Sequence, residues 1–452
     1  MCSFTVTDLD IDLNKTNFFS QKRGPDLTSV EKVNGISFLH NLLHITGEVT
    51  PQPFMEDDIV CVMNGEIYNY KDFGDYESDG KCLIPLYKEY GLEFAKKLDG
   101  EFAICLIDFN KSHLILVNDT FATKPLWFAD NGTNFGIASY ESSLKEAGFD
   151  GVQKIVGNYA WCFDLNTREE IDIIQLVEFD IKQYKTTYDD WITAFEKSIS
   201  KRVANTPHKV FLGLSAGYDS GGITCELLKQ NINFKAYTVA STEDEYIIRT
   251  RHSELESAEV INLTKKEYSD TQLNINDNCE DFIYHSKYVV YDIKGDKAAV
   301  GLGTICTRAN DDGYRIYLSG QGADEILSDY GYNGEKIYPH SEFGGKYPES
   351  LDGFFPWYSF YDGTQIQYLN KEEYVAGAYG IETRYPYLDV ELVQEFLWLS
   401  SELKNKEYKA PLSEYLSRNN YPFQRGIKTG FRANLNLIYR DGKRKFAFHD
   451  DA

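Results

Sequence analysis

The sequence predicts two unlike domains: a β-rich first part over residues 1–180, and an α/β part over residues 187–452 built on a parallel sheet. Three observations lead there. Short apolar runs such as Ile59-Val60-Cys61-Val62-Met63 and Leu114-Ile115-Leu116-Val117, bounded by Gly, Asp and Asn, have the pattern of buried strands. Beyond Tyr184, strands and helical stretches alternate, the order that builds a parallel sheet. Two of these later strands run into loops of small residues with an acid at the start of a helix.

In chain order, strand-like runs at 59–63, 102–107 and 114–117 surround a helical stretch, 81–98, whose apolar residues recur every three or four positions. Strands continue to Ile174, and the join between domains is expected within 175–187. A helix over 188–203 leads into the strand Val210-Phe211-Leu212-Gly213-Leu214, and further strands follow at 234–240 and 314–318. No internal repeat or low-complexity tract interrupts this order.

The composition sets bounds on function. Of 452 residues, 42% are hydrophobic and 26% charged, which excludes a wholly disordered or fibrous chain. Lys+Arg 46 against Asp+Glu 70 leaves a net charge of −24, which argues against a nonspecific clamp on nucleic acid or anionic lipid. No apolar run approaches the roughly 18–20 residues of a membrane span, and the opening Met1-Cys2-Ser3-Phe4-Thr5-Val6 lacks a secretory pattern. A cytoplasmic chain with no nucleic-acid or membrane partner is expected. Eight scattered cysteines without a CxxC pair argue against structural zinc and against a disulfide framework.

The turn Leu214-Ser215-Ala216-Gly217-Tyr218-Asp219-Ser220-Gly221-Gly222 joins a buried strand to a helix expected over 223–229. Small residues let a ligand approach the backbone, and N–H groups at a helix start attract an anion. Ser215 and Ser220 add hydroxyl donors suited to phosphate oxygens, and Val239 closes the neighbouring strand. Asp219 would repel bare phosphate and makes sense as a ligand of a divalent cation. The order differs from GxxxxGK[ST], so this is no Walker A loop. Leu318-Ser319-Gly320-Gln321-Gly322-Ala323-Asp324-Glu325 repeats the logic after a second strand. Two such loops at the carboxyl ends of parallel strands can hold a nucleotide pyrophosphate, with Mg²⁺ between Asp219 and Asp324.

Here the sequence resembles a known family. Ser215 to Ser220 resembles the SGGxDS pyrophosphate loop of N-type ATP pyrophosphatases, and Ser319 to Glu325 the SGxGxDE loop of glutamine-hydrolysing asparagine synthetases. Gly380-Ile381-Glu382-Thr383-Arg384-Tyr385-Pro386-Tyr387-Leu388-Asp389 resembles that family's E-x-R-x-P-[FY]-L-D segment, and Lys409 and Lys428-Thr429-Gly430-Phe431 its C-terminal lysines. The resemblance implies an ATP-pyrophosphatase domain of the adenine nucleotide alpha hydrolase-like type. ATP would bind at Leu214, Ser215, Ala216, Gly217, Asp219, Ser220, Val239, Ser319 and Gly320, with Lys409 catalytic. The acceptor carboxylate, aspartate by default, would meet Gln321, Glu325, Glu382 and Arg384.

The first domain carries matching segments. Asn64-Gly65-Glu66-Ile67-Tyr68-Asn69 resembles the family's NGEIYN, and Arg23-Gly24-Pro25-Asp26, Gln52-Pro53, Ser78-Asp79 and Lys124-Pro125-Leu126 follow in the family's order. The implied fold is an α+β N-terminal-nucleophile glutaminase sandwich. Cys2, freed of Met1, would attack glutamine with its own α-amine as base; Asn64 and Gly65 would form the oxyanion hole, and Glu66 and Asp79 would hold the amino end. Arg23-Gly24-Pro25-Asp26 also reads simply as a turn. The overall expectation is amide synthesis from glutamine, ATP and a small carboxylate, with room for a homodimer. The alternatives are an amidotransferase acting on a sugar acid, peptide or specialised metabolite, and a partly decayed ammonia-dependent or non-catalytic relative.

Four departures stand out. Leu42 of His40-Asn41-Leu42-Leu43-His44-Ile45 occupies the place of the family's glutamine-binding Arg, with Lys22 and His44 as candidate stand-ins. Gln321 replaces the usual Glu and leaves the acceptor open. Ala216 replaces Gly, a mild change. Ser328-Asp329-Tyr330 replaces Gly-Gly-Tyr and is expected to alter the pocket floor and add a charge there.

Overall fold

The computed structural model describes residues 2–240, 243–285, 290–426 and 433. Lys428 and its neighbours lie outside the described residues.

Residues up to Gln175 form two six-stranded antiparallel sheets. One runs Gln153–Lys154, Trp127–Asp130, Phe135–Ala138, Ser3–Thr7, Ile36–Leu42, Leu27–Val33. The other runs Glu170–Gln175, Tyr159–Asp164, His113–Asn118, Gly100–Asp108, Ile59–Ile67, Phe54–Glu56. The pleat explains the continuous apolar runs. Val60 and Val62 of Ile59–Ile67 point into a core shared with Phe4, Val6 and Phe38 of the first sheet. Ile59, Cys61 and Met63 point the other way, into a core closed by Leu83, Leu86 and Phe94. A strand covered on both faces has no polar side to alternate with. The expected helix over 81–98 is shorter: Leu83–Tyr90, followed by a 3₁₀ turn Gly91–Lys97. Gly91, at φ +58°, breaks it.

The helix Asp189–Val203 opens the second part, whose parallel sheet runs Ala258–Ile261, Phe234–Val239, Val210–Gly213, Ile316–Leu318, Glu382–Arg384. The chain starts in the middle, works to one edge, and returns to build the other. The order therefore reverses between Val210–Gly213 and Ile316–Leu318, and the loops leaving these two adjacent strands are the two small-residue loops. Ligands of open parallel sheets bind at such a switch point. The helix after the first loop begins at Tyr218, not 223, so Asp219 to Gly222 form its first turns. Packing overrides the poor helix propensity of this Gly pair: a Cβ on Gly221 would meet the Arg251 guanidinium at 2.3 Å, and one on Gly222 would meet Leu412 at 2.6 Å.

The two parts share a core. Leu43, Ile45, Phe121 and Tyr140 of the first pack in one cluster with Trp191, Phe195, Phe360 and Tyr374 of the second. All eight cysteines are buried and unbridged. Among the described residues, no helix is long and apolar enough to cross a membrane.

Candidate active sites

At the switch point the two loops touch. A Cβ on Gly320 would lie 2.9 Å from the Cβ of Asp219, so the second loop needs glycine to pass the first. Within the first loop the Ser220 hydroxyl accepts from Ser215 N at 3.0 Å and pairs with the Ser215 hydroxyl at 2.8 Å. Gly217 N donates to Ser215 Oγ at 3.1 Å, and Ala216 N to Glu243 Oε2 at 2.6 Å. The helix Tyr218–Lys229 has no side-chain cap at its N-terminus, which leaves its first N–H groups facing the loop. Leu214 and Val239 are buried at the ends of their strands, and Thr238 Oγ1 donates to the Leu214 carbonyl at 2.8 Å.

The two loop carboxylates converge. Lys409 Nζ lies 2.5 Å from Asp219 Oδ1 and 2.7 Å from Asp324 Oδ1, with its side chain only 1% exposed. Tyr408 donates to the same Asp324 oxygen at 2.9 Å. Lys409 has φ +48°, a strained setting for a non-glycine residue, and its placement aims the ammonium between the two carboxylates. Among the described residues, no group of three or more His, Cys, Asp or Glu could cage a metal. Two carboxylates sharing one cation position nevertheless suit Mg²⁺, which takes one or two carboxylates and draws its remaining ligands from phosphate and water.

Beside Asp324, Glu325 is fully buried; its Oε2 accepts from Gly322 N at 3.1 Å and its Oε1 from the Tyr330 hydroxyl. Burial, with Asp324 adding repulsion, raises its carboxyl to about 7. Two residues after Ser319, whose hydroxyl accepts the Gln321 N–H at 3.0 Å, Gln321 turns its side-chain amide to Glu325. Asp329 overturns an expectation. Its charge does not face the pocket: one oxygen accepts from Ser341 Oγ, Glu342 N and Phe343 N, and the other from Ser359 Oγ, so it staples neighbouring loops.

In the first domain, Cys2 is buried, with its thiol 3.8 Å from the Leu43 carbonyl. Burial pushes the thiol up to about 11 against the pull of the amino-terminal charge, so it needs a base to react. Asn64 is completely buried, yet neither amide atom has a hydrogen-bond partner. Buried amides are rarely left so, and a ligand oxygen is the natural partner. Gly65, at φ +134°, has no room for a side chain: a Cβ would meet the Glu101 carbonyl at 1.9 Å. Glu66 accepts from Thr46 at 2.6 Å, and Asp79 from Ile67 N at 2.9 Å. Burial lifts both carboxyls, Glu66 well above its ordinary range and Asp79 to about 6.

Glu382 and Arg384, expected at the acceptor pocket, turn instead toward the first domain. They sit two positions apart on the edge strand, and so on the same face, and this strand lies against the sandwich. Arg384 Nε donates to Glu382 Oε1 at 2.7 Å and Nη1 to the Arg202 carbonyl at 2.6 Å, while Nη2 lies 3.5 Å from Glu66 Oε2. The Arg384 backbone reaches the second small-residue loop, its carbonyl accepting from Ser319 N at 2.9 Å. The candidate stand-ins for Leu42 are engaged elsewhere: Lys22 donates to Asn278 at 2.8 Å, and the His44 ring contacts the Gly47 carbonyl at 2.8 Å.

Between the domains runs a buried charge network that sequence reasoning missed. Arg23, read as part of a turn, donates to the Cys2 carbonyl at 3.0 Å and to Glu373 Oε2 at 2.8 Å, with both side chains fully buried. Lys124 pairs with Glu373 at 3.0 Å and Glu101 at 3.5 Å; Arg202 pairs with Glu101 at 2.8 Å and Asp389 at 2.9 Å. A signal existed for Arg202: it falls on the buried stripe of its helix, in register with Trp191, Phe195, Ser198 and Ile199. A cleft of about 410 Å³ borders this network at Glu101, Lys201, Arg202 and Asp389.

An antiparallel sandwich with a buried second-position cysteine, joined to a parallel-sheet domain with paired small-residue loops, defines a two-domain glutamine amidotransferase with a nucleotide-dependent partner domain. Family models agree: residues 3–166 match a glutamine amidotransferase domain and residues 191–362 match asparagine synthase. The chain is 27% identical over 458 residues to a putative glutamine-hydrolysing asparagine synthetase of Methanocaldococcus jannaschii, covering 93% of this chain and 80% of that protein. It is 26% identical over 422 residues to asparagine synthetase 1 of Saccharomyces cerevisiae (82% and 70%), and 25% identical over 424 residues to asparagine synthetase 2 of Arabidopsis thaliana (84% and 67%). The chain belongs to the glutamine-hydrolysing asparagine synthetase family.

Proposed function

We propose that this chain is an ATP-dependent amide synthetase that hydrolyses glutamine in its first domain and uses the ammonia in its second, with aspartate the default acceptor. The observation that carries the reading is the meeting of Asp219, Asp324 and Lys409 where the two loops leave adjacent parallel strands.

With Met1 removed, the Cys2 α-amine takes the thiol proton. The sulfur attacks the glutamine carboxamide carbon, and Asn64 and the Gly65 N–H hold the oxyanion. The C–N bond breaks, ammonia leaves with that proton, and water then cleaves the thioester to glutamate. Glu66 and Asp79 hold the ammonium of glutamine.

In the second domain, Ser215, Gly217, Ser220 and Ser319 receive the phosphates of ATP. Asp219 and Asp324 are the residues that would hold Mg²⁺, which when bound neutralises phosphate charge. An acceptor carboxylate oxygen attacks the α-phosphorus and pyrophosphate leaves, with Lys409 placed to balance its charge. Ammonia then attacks the acyl carbon, AMP departs with the C–O bonding electrons, and the nitrogen loses a proton. Gln321 and Glu325 flank the acceptor.

The test is direct. Purified protein with ATP, Mg²⁺ and aspartate, given either glutamine or ammonia, should release pyrophosphate and form asparagine from both. Pyrophosphate only with another carboxylate would reassign the acceptor, and none with any carboxylate would overturn the reading.

A further inference from the structure

We propose that Arg384, a residue of the parallel-sheet domain, binds the α-carboxylate of glutamine in the first domain. The inference rests on the proposed glutamine site at Cys2, Glu66 and Asp79.

Free glutamine brings an ammonium and a carboxylate to any site that recognises it. These groups share one carbon, so the protein groups that read them must lie side by side. Glu66 and Asp79 suit the ammonium, but Leu42, which stands where the resemblance puts a glutamine-binding Arg, is apolar and buried. The adjacent cation is Arg384, whose Nη2 lies 3.5 Å from Glu66 Oε2. Two of its nitrogens are committed, Nε to Glu382 and Nη1 to the Arg202 carbonyl. Nη2 is buried without a hydrogen-bond partner, on a side chain only 1% exposed. Fully buried guanidinium N–H groups without an acceptor are costly, and a carboxylate is their best partner. Arg384 also acts electrostatically on both Glu66 and Asp79, and Glu66 on Cys2, so the five groups, with Glu382, form one cluster.

The arrangement has a consequence for coupling. The Arg384 carbonyl anchors Ser319 of a nucleotide loop at 2.9 Å, while its side chain faces the glutamine pocket. One residue thus has its backbone in one site and its side chain in the other.

The experiment compares two substrates and leaves the mature wild-type enzyme unchanged for its first arm. Glutaminase kcat/KM is measured for L-glutamine and for L-glutamine α-amide, which keeps the ammonium and the side chain but lacks the carboxylate. The wild type should prefer glutamine by about 10- to 100-fold, the worth of one or two charge-assisted hydrogen bonds. Arg384→Gln should raise KM for glutamine by a similar factor, change kcat less, and erase the preference; Arg384→Lys should keep part of it. Ammonia-dependent pyrophosphate release reports whether the variants are folded and tests the second site separately. No preference in the wild type, or a preference that survives in Arg384→Gln, overturns the proposal. In the wild type, no pyrophosphate release with any carboxylate beside an intact preference for glutamine would sink the synthetase reading and leave this one standing.

Discussion

The loops of the parallel sheet and the pocket around Cys2 balance their charges in opposite ways. At the loops, two carboxylates share one lysine, and Asp219, Asp324 and Lys409 all belong to the same domain. At the thiol, Arg384 reaches Glu66 from the other domain. The carbonyl of Cys2 is likewise held by Arg23, which Glu373 of the second domain pins in place. One site is complete within its domain, whereas the other is finished by its neighbour. Damage at the interface should therefore reach the glutamine side first.

Cys2→Ala separates the two most sharply. Glutamine-dependent amide formation should vanish while ammonia-dependent formation persists, read as product from each donor in parallel assays. Equal loss from both donors would contradict two separable sites. Asp219→Asn probes the self-contained site in the opposite sense. Pyrophosphate release should fall by about 100- to 1,000-fold with glutamine and ammonia alike, the usual effect of removing one preorganised charge contact. Unaltered release would mean that the phosphate charge is met elsewhere.

Glu373→Gln tests the interface. Its carboxylate faces Arg23 and Lys124, all three nearly or fully inaccessible. Removing one partner of a buried pair strands the other charges, at a cost of about 3–5 kcal/mol. A lower denaturation midpoint is expected, together with a larger loss of glutamine-dependent than ammonia-dependent synthesis. Equal loss would show that the network only holds the domains together.

What could be read from the sequence follows the range of the forces involved. The nucleotide loops were legible because contact with phosphate needs small residues, hydroxyls and a helix start within one short stretch. The apolar runs revealed the buried strands of the first domain because both sheet faces are covered. Arg384 and Glu382 were recognisable as a motif, but their facing the first domain depends on the edge position of their strand, which local pattern does not encode. Arg202 was visible as a charge on a buried stripe, but its partner Glu101 lies 101 residues away. Asp329 was misplaced for a similar reason: its four acceptor contacts come from residues 12 to 30 positions on.

The mildest test concerns pH. Glu280, in the second domain, accepts from Ser142 N at 2.9 Å and Ser142 Oγ at 2.5 Å, at the first turn of the helix Glu141–Ala147 in the first domain. Burial raises its carboxyl to about 7, partly opposed by these bonds. A carboxyl raised in the folded state binds its proton more tightly there than in the unfolded chain. Its stabilising contribution is complete below the unfolded value near 4.5 and is lost as pH rises through 7. Glu280→Gln carries no charge to bury, so relative to the wild type it should gain stability between pH 5 and pH 8, by about 1–3 kcal/mol. Thermal denaturation of both proteins across that interval measures the difference. A constant gap would show that Glu280 stays charged at the interface, and that this contact resembles the ion pairs around Glu373.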